Sequence, residues 1–386
     1  MGQRPRLLVV GPVPPPVHGV SAYVRSLLDA RELRERWEVL HLDTSDHRSL
    51  ANLGRVDPTN VVLALRHVAE CARRVRRERV RVVWIPISSN APAYLRDALF
   101  ILGAHAGGAC VVAHAHGGGF GAFYRQAAPP VRWLVERASA RVERAWVLGE
   151  GLRAMFDGLV ADDRVHVVPN GVPDPTLAAG TGGAADARSA HPFTLLHLGQ
   201  LSVAKGVVDL VEAAGRLAAS GTEIRVLLAG GWGSPGDEAR IGAAVTRSGL
   251  GARVELLGVV SGATKAAAFR RADAFVLATR YPYEGQPLAV LEAMAAGLAV
   301  VSTPRAAIPD AVTDGVTGLL APEGDVDALT AALLRLAADR EVRVRMGAEG
   351  RRRWEREFTA ERAMARVADA LEEIRAGSFL GKGVGA

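Results

Sequence analysis

Short apolar runs that end at a glycine, each followed by a segment with helical spacing, recur along this 386-residue chain. Residues 6–10 form such a run, which ends at Gly11, and a proline- and glycine-rich loop continues to Gly19. Helical spacing then begins at Val20. Strand, glycine loop and helix in this order open a Rossmann-type unit. Because alternating strands and helices favour parallel pairing, the pattern predicts a doubly wound α/β sheet.

The alternation stops once and then starts again. Residues 173–192 are rich in glycine, alanine, proline and threonine and have almost no hydrophobic period, which is typical of a linker. The chain is also too long for one ordinary core. We therefore predict an N-terminal Rossmann-like domain at 1–172 and a C-terminal one at 193–358. A helix at 359–376 is expected to pack back on the first domain, and a frayed tail follows at 377–386.

Ligands of such sheets bind beyond the carboxyl ends of the strands. The two domains are therefore predicted to face each other across a cleft.

Charge and aromatic content narrow the classes of function. The net charge is +6, and all but three of the 47 basic residues are arginines. The densest basic run, residues 73–81, is interpreted as a solvated helix face, with contact to anionic lipid headgroups as the alternative. Aromatic residues make up 5%, and no stacking cluster accompanies the arginines of this run, so nucleic acid is not an expected partner.

Targeting signals and cysteines indicate a cytoplasmic protein. Residues 4–10 are too short an apolar run for a secretory signal, and residues 98–113 are too short and too broken by glycine to span a bilayer. Cys71 and Cys110 have no metal-ligand spacing and are interpreted as buried thiols in a reducing compartment. Peripheral contact with the cytosolic membrane face is left open.

The most informative segment is residues 283–301, YEGQPLAVLEAMAAGLAVV. Glu284 precedes a helix predicted to begin at Leu288, and Glu292 lies inside that helix. The N–H groups and the positive dipole end at a helix N-terminus suit a phosphate. A carboxylate one turn further in can accept two hydrogen bonds from ribose hydroxyls, so the segment predicts a nucleoside diphosphate site. As alternatives, Glu284 is a helix-capping surface acid and Glu292 a salt-bridged core acid.

A second segment, GQLSVAKG at residues 199–206, lies between a predicted strand and a predicted helix. Its Lys205 is one of three lysines in an arginine-rich chain. A compact ammonium beside a glycine at such a turn fits a phosphate-binding point charge. A solvated lysine is the alternative interpretation.

Together these segments resemble glycosyltransferases of the GT-B fold, specifically the retaining family 4 group. The resemblance rests on EGxPLxxLEAMAxGxxVV around Glu284 and Glu292, on the GxLxxxKG turn, and on the blocks at residues 168–172, 302–310 and 314–320. It spans nearly the whole chain and is strongest over residues 193–325. It implies two Rossmann-like domains, of which the first binds the acceptor and the second a nucleotide-sugar donor, and transfer with retention of configuration. Acceptor choice is then expected to reside in loops of the first domain around residues 41–58 and 117–128.

The resemblance also implies roles for individual residues. Lys205 resembles the lysine that neutralises the donor diphosphate, Glu292 the acid that binds the ribose, and Glu284 the acid near the hydroxyls of the transferred sugar. His116 resembles the first-domain histidine near the anomeric centre, and His114 competes for that role. We expect His116, Lys205 and Glu284 to be the catalytic set, with a satisfied loop histidine as the alternative for His116.

Backbone groups complete the implied donor site. Gly19 resembles the glycine that closes over the diphosphate, and Gly230 lies at a nucleotide-side turn. Gly258 and Val259 are expected to flank the base. The remaining implied donor contacts are Gln200, Gly285, Gln286, Pro287 and Leu288.

One position departs from the family pattern. The family usually has arginine after the first glycine of the turn, where this chain has Gln200. A neutral amide can hydrogen-bond a phosphate but does not offset its charge. We therefore expect either that another cation, Arg280 or Arg305, substitutes, or that stabilisation of the leaving group is weaker. Lys205 then carries more of that stabilisation.

The resulting hypothesis is a glycosyltransferase that moves a sugar from a nucleoside diphosphate to a hydroxyl acceptor on a polysaccharide or glycolipid intermediate or a small metabolite. The departing phosphate oxygen takes the acceptor proton, and no protein base, cofactor or essential metal is expected. Two alternatives remain open: a nucleotide-sugar epimerase or hydrolase of the same fold, and a non-enzymatic protein that binds membranes through its arginines. A dinucleotide oxidoreductase is disfavoured because no GxGxxG follows a strand.

Overall fold

The computed structural model describes residues 4–15, 19–45, 58–177 and 192–380. Contacts divide the chain into two compact units. The first contains the residues up to Asn170 together with those from Ala360 onward, and the second runs from Gly171 to Thr359. Most of the predicted linker, the predicted tail beyond residue 380 and residues 46–57 of one predicted acceptor loop lie outside the described residues.

The first unit is built on a six-stranded sheet in which every pairing is parallel. Its strands are β1 Arg6–Gly11, β2 Glu38–Asp43, β3 Val82–Ile87, β4 Cys110–Ala115, β5 Arg144–Val147 and β6 Val165–Val167. The strand order is β2-β1-β3-β4-β5-β6. In β1, Leu7 lies opposite Val39 of β2 and Val82 of β3. The order reverses beside β1, which is the topological switch of a doubly wound sheet.

In the described residues, six helices connect these strands: α1 Gly19–Asp29, α2 Arg31–Arg36, α3 Pro58–Arg77, α4 Ala91–Ala106, α5 Phe120–Gln126 and α6 Pro129–Ser139. Local sequence explains where α4 begins, because the Asn90 side chain accepts a hydrogen bond from the Ala93 N–H and Pro92 occupies the first turn. The apolar faces of α1 and α2 join the core of β1 and β3 through Val24, Leu27 and Leu33.

The second unit repeats this architecture with another six parallel strands. Its strands are β7 Phe193–Leu198, β8 Ile224–Ala229, β9 Val254–Gly258, β10 Ala274–Leu277, β11 Ala299–Ser302 and β12 Gly318–Leu320, in the order β12-β11-β10-β7-β8-β9. Its helices are α7 Val207–Ala219, α8 Pro235–Arg247, α9 Gly262–Arg271, α10 Leu288–Ala295, α11 Ile308–Ala311, α12 Val326–Ala338 and α13 Arg340–Glu357. The last helix of the chain, α14 Ala360–Leu380, belongs to the first unit.

The central strands of the second sheet are covered on both faces, which explains why hydrophobic residues predominate in them. In β7, Leu195 packs in the core on one face and Leu196 in the core on the other. In β8, Val226 and Leu227 divide in the same way. Successive strand residues point to opposite faces, so a strand buried on both faces needs hydrophobic residues at every position.

Several elements were missed by the sequence interpretation. Residues 41–43, predicted as part of an acceptor loop, are the end of β2, and residues 120–126, also predicted as loop, form α5. β2 is an edge strand, mostly half-buried, so its apolar signal is weak. α5 directly follows Gly117–Gly119, which favoured a loop assignment. Among the described residues, none of the helices is long and apolar enough to cross a bilayer.

Two helical glycines of the second unit predict opposite responses to alanine. A Cβ at Gly347 in α13 would overlap the carbonyl oxygen of Gly297, whereas a Cβ at Gly242 in α8 would meet nothing within 4 Å. Alanine is more favourable than glycine inside a helix by about 1 kcal/mol. We expect Gly242→Ala to raise the free energy of unfolding by about 0.5–1 kcal/mol, and Gly347→Ala to lower it by about 1–3 kcal/mol.

Urea unfolding monitored by circular dichroism measures both variants. Equal changes in the two proteins would show that α13 does not pack against Gly297 as described.

Candidate functional site

Four of the residues predicted to contact the donor lie at or beyond the carboxyl ends of four adjacent strands. Glu284 follows β10, Lys205 follows β7, Gly230 follows β8 and Gly258 ends β9. These strands are neighbours in the order β10-β7-β8-β9. Because the strands are parallel, their carboxyl ends share one edge of the sheet. The tertiary structure therefore brings together at that edge residues that lie up to 79 positions apart in sequence.

Close backbone approach fixes the turns at this edge. A Cβ at Gly230 would overlap the carbonyl oxygen of Gly199, and one at Gly206 would overlap the carbonyl oxygen of Ala278. Gly206 also has φ of 74°, in the left-handed region where side chains are strained. The Gly230 N–H donates to the Gly258 carbonyl at 2.7 Å. Glycine at these positions is thus explained by packing between the turns.

Lys205 and Glu284 form a hydrogen-bonded ion pair at this edge. Lys205 Nζ lies 2.8 Å from Oε2 and 3.0 Å from Oε1 of Glu284. The two side chains are 17% and 6% exposed, so Glu284 is a buried acid rather than a surface one. The hydroxyl of buried Thr279 donates to Glu284 Oε2 at 2.8 Å, and the Lys205 ammonium lies 4.8 Å from the centre of the Tyr281 ring. These contacts offset the desolvation of both charges.

A second lysine pairs with the second predicted acid. Lys265 Nζ on α9 donates to Glu292 Oε1 on α10 at 2.6 Å, with side chains 28% and 13% exposed. Glu292 is therefore a salt-bridged acid, which agrees with the alternative interpretation of this residue from the sequence. A carboxylate has about four acceptor positions. One bond from Lys265 therefore leaves capacity for the two hydroxyls of a ribose.

The predicted phosphate-binding helix begins where expected. α10 starts at Leu288 after Pro287, and among the described side chains none caps its first turn. Gln286 and Gly285 are buried directly before it, and the Gly285 carbonyl accepts from the Ala307 N–H at 3.1 Å. The first N–H groups of a helix have no partner within the helix, so this end of α10 suits an anion.

The two arginines expected to replace the missing family arginine are both engaged elsewhere. Arg280 donates to Asp209 at 2.8 Å, and Arg305 donates to Glu323 at 2.6 Å. A guanidinium that is already paired with a carboxylate contributes less to offsetting a phosphate. Gln200 is exposed. Lys205 is itself paired with Glu284, so ion pairing does not distinguish it from the two arginines. The expectation that Lys205 carries more of the charge stays a prediction.

In the first unit, His114 and His116 belong to a cluster of aromatic rings that contact one another in tilted and edge-to-face arrangements. Their ring centres are 4.1 Å apart, and the Tyr23 ring centre lies 4.5 Å from that of His116. Burial lowers the pKa of His116 to about 3. Burial, and then the charge of His116, lower the pKa of His114 well below its usual value. Both imidazoles are therefore neutral at physiological pH.

The remaining predicted residues lie at element ends. Gly19 is the first residue of α1, and residues 16–18 before it are outside the described part of the chain. Val259, directly after β9, is 83% exposed. Among the described residues, no group of three or more histidine, cysteine or acidic side chains is arranged to hold a metal. The expectation that no metal is required stays a prediction.

Sequence reasoning missed Thr279 and Tyr281, which contact the Lys205–Glu284 pair. It also missed His197, whose Nδ1 lies 3.2 Å from the Val276 carbonyl oxygen and whose pKa burial lowers to about 4. A signal for Thr279 was present in the sequence. It is a polar residue directly after a buried strand, at the edge where ligands bind.

Comparison with known proteins supports a glycosyltransferase. Residues 192–339 match the family model described as glycosyl transferases group 1. Over 189 residues the chain is 34% identical to the amylovoran biosynthesis glycosyltransferase AmsK of Erwinia amylovora, covering 48% of this chain and 46% of that protein. Over 151 residues it is 34% identical to the phosphatidyl-myo-inositol mannosyltransferase of Mycolicibacterium smegmatis, covering 39% and 37%. The chain thus spans less than half the length of these curated relatives.

Similar solved structures extend over nearly the whole chain. Sucrose-phosphate synthase from Thermosynechococcus elongatus has a TM-score of 0.74 at 18% identity, covering 96% of this chain and 100% of that one. Anabaena Alr3699/HepE in complex with UDP has a TM-score of 0.72 at 16% identity, covering 95% and 100%. Together with the two parallel six-stranded sheets, this likeness confirms the predicted GT-B fold class.

The lowered histidine pKa values predict an acid-sensitive first unit. His116 has a folded pKa of about 3 against 6.5 for the free side chain, so below pH 6.5 only the unfolded chain binds the proton. Stability is therefore complete above pH 6.5 and is lost as pH falls toward 3, by up to about 1.4 kcal/mol per pH unit. His116→Phe keeps the ring packing and removes this proton, so its stability should fall less steeply.

Urea midpoints at pH 7.5, 6.5, 5.5 and 4.5 for both proteins give the two slopes. Parallel slopes would show that His116 is not buried as a neutral ring.

Proposed function

We propose that this chain is a retaining glycosyltransferase that transfers a sugar from a nucleoside-diphosphate sugar to an acceptor hydroxyl. The observation that carries the proposal is the placement of Lys205, Glu284 and the glycine turns at one sheet edge, inside the segment that matches glycosyl transferases group 1. The structural neighbour crystallised with UDP supports a nucleotide-linked donor.

The donor diphosphate is proposed to bind between Lys205 and the N-terminus of α10. As the glycosidic bond to the diphosphate breaks, negative charge grows on the departing oxygen. A fixed ammonium and fixed helix N–H groups stabilise that charge without reorganisation, which is usually the largest electrostatic contribution to catalysis. Lys205 is held in place by Glu284 and by the Tyr281 ring. It is therefore preorganised before the donor binds.

Glu284 is proposed to bind a hydroxyl of the transferred sugar. Lys205 and Thr279 donate three hydrogen bonds to its carboxylate. About four acceptor positions are available on a carboxylate. The carboxylate therefore retains room for one sugar hydroxyl, in an orientation fixed by Thr279. Glu292, bonded once by Lys265, is proposed to bind the ribose.

The departing phosphate oxygen, rather than a protein base, is proposed to take the acceptor proton. An imidazole with a pKa near 3 is a weak base at neutral pH, because efficient general bases have pKa values near the working pH. His116 is accordingly proposed to act as a neutral hydrogen-bonding group and not as a base. Attack from the face that the phosphate leaves gives retention of configuration.

We propose a glycolipid intermediate as the acceptor. The relatives bear the names of an amylovoran biosynthesis glycosyltransferase and a phosphatidyl-myo-inositol mannosyltransferase, and the second name describes a lipid acceptor. A cytoplasmic location on the inner face of the membrane is proposed with it. A thermal-shift panel of UDP, GDP, ADP and dTDP identifies the donor base. No stabilisation by any of these nucleotides would contradict the proposed donor site.

Replacement of Lys205 tests the catalytic proposal. Lys205→Ala should reduce turnover by at least about 100-fold, since one preorganised electrostatic contact contributes a factor of this size. Lys205→Arg keeps the charge and should retain more activity than alanine. Arg247→Ala removes an exposed ion pair with Glu212 in the same unit and should leave turnover unchanged.

Turnover is measured as nucleoside diphosphate release from the donor selected by the thermal-shift panel, with and without a membrane glycolipid extract. Full activity in folded Lys205→Ala would remove the lysine from the mechanism. Equal nucleoside diphosphate release with and without extract would favour the hydrolase, and conversion of the donor sugar without nucleoside diphosphate release would favour the epimerase.

Chelation tests the expectation that transfer needs no metal. Lys205 and the start of α10 are proposed to supply the positive charge that a divalent cation would otherwise provide. EDTA should therefore leave the transfer rate within about twofold of the untreated enzyme. Loss of transfer that is restored by Mg²⁺ would overturn the metal-free mechanism.

A further inference from the structure

Three neighbouring helices of the first unit share one side of its sheet. α3, α4 and α6 connect β2 to β3, β3 to β4 and β4 to β5, and each connection moves the same way across the sheet. Parallel crossovers are almost always right-handed, so connections in one direction place their helices on one face. α4 packs against both α3 and α6. The outer sides of the three helices therefore form one continuous surface, here called the three-helix face.

This face exposes apolar side chains that a water-facing surface does not need. All the large hydrophobic residues that are exposed in the described part of the first unit lie on these helices: Val62 and Leu65 on α3, Leu95 and Leu99 on α4, and Trp133 on α6. Trp133 is 61% exposed. Single exposed hydrophobic residues are ordinary, but five on three adjacent helices mark an interaction surface.

Arginines border the same side chains. On α3, Val62, Arg66, Arg73 and Arg76 are exposed at helical spacing on one side, and Arg77 is exposed beside them. On α6, Arg132 and Arg137 flank Trp133 and are exposed.

Acidic side chains offset little of this charge. Asp97 is buried and paired with Arg96, and Glu70 is half-buried. Glu136 is exposed and accepts the Tyr124 hydroxyl at 2.7 Å. The three-helix face thus combines apolar side chains with an excess of positive charge.

We infer that the three-helix face docks on an anionic lipid bilayer. Tryptophan and leucine side chains at the headgroup boundary and arginines against lipid phosphates are the chemistry of interfacial binding. A protein partner would favour a contiguous apolar core from which charged residues are depleted. On the three-helix face, by contrast, exposed arginines and exposed apolar residues lie on the same helices. The inference rests on the proposal of a glycolipid acceptor and extends it by naming the surface that contacts the membrane. The observations on this face do not depend on the donor site.

The tryptophans provide a direct readout of docking. The chain has six, of which Trp37, Trp84, Trp146 and Trp354 are buried and Trp232 is partly buried. Trp133 should therefore dominate any change caused by lipid contact. With vesicles of phosphatidylcholine and 30 mol% phosphatidylglycerol, we expect a blue shift of the emission and quenching by brominated acyl chains. Vesicles of phosphatidylcholine alone should give neither, and raising NaCl from 50 to 500 mM should weaken binding at least tenfold.

Matched variants test whether vesicle binding depends on the three-helix face or on exposed hydrophobic residues in general. Leu95→Ser/Leu99→Ser should weaken vesicle flotation at least tenfold. Leu256→Ser/Val344→Ser changes two residues of equal or greater exposure on the second unit and should change it less than twofold. Trp133→Ala should abolish the blue shift.

A second pair of variants tests how much the arginines contribute to vesicle binding. Arg73→Gln/Arg76→Gln should weaken binding to anionic vesicles at least tenfold. Arg216→Gln/Arg247→Gln, which changes exposed arginines of the second unit, should not.

All variants should retain the nucleotide-induced thermal shift of the unmodified chain, which separates failure of docking from failure of the proposed donor site. Equal binding to neutral and anionic vesicles, or equal loss in the Leu256→Ser/Val344→Ser control, would overturn the inference. Concentration-dependent dimerisation that Trp133→Ala abolishes, without vesicle binding, would assign the face to a second copy of the chain.

Discussion

Close contact between backbone turns at one edge of the second sheet is the constraint on which the candidate site depends. The turn after β7 passes so near the turns after β8 and β10 that a Cβ at Gly230 or Gly206 would overlap a carbonyl oxygen. This approach sets Lys205, the neighbour of Gly206, next to the segment that carries Thr279 and Glu284. An anion site made from helix N–H groups and one ammonium needs this precision, because its stabilisation depends on fixed geometry.

The same edge explains how a chain rich in arginine uses its few lysines. Lys205 and Lys265 each pair with one of the two acids of the EGxPLxxLEAMA segment, and all four side chains are largely removed from water. Such pairs contribute little net stability once desolvation is counted. Their value lies in orientation, because each carboxylate is held by its partner and still has acceptor capacity. A salt-bridged acid and a ligand-binding acid are therefore compatible interpretations of Glu292.

The two units distribute their charged and neutral polar groups differently. The second holds the buried Lys205–Glu284 pair at its strand ends, whereas the first buries neutral rings around His114 and His116 and exposes arginines on α3 and α6. Burial holds both histidines neutral, which excludes them as cations at physiological pH. The three-helix face places arginines and Trp133 where they meet solvent, so the first unit is suited to a surface contact and the second to a small anionic ligand.

The sequence by itself determined the alternation of elements, the two-unit organisation and the segments around Lys205 and Glu284. Apolar runs and glycines are local signals. They are strong in strands that are buried on both faces, such as β7 and β8. The half-buried edge strand β2 and the helix α5 after three glycines gave no comparable signal. Only the tertiary structure decided which side chains meet. The lysine–carboxylate pairs join separate elements, and the three-helix face exists because crossover handedness puts α3, α4 and α6 on one side.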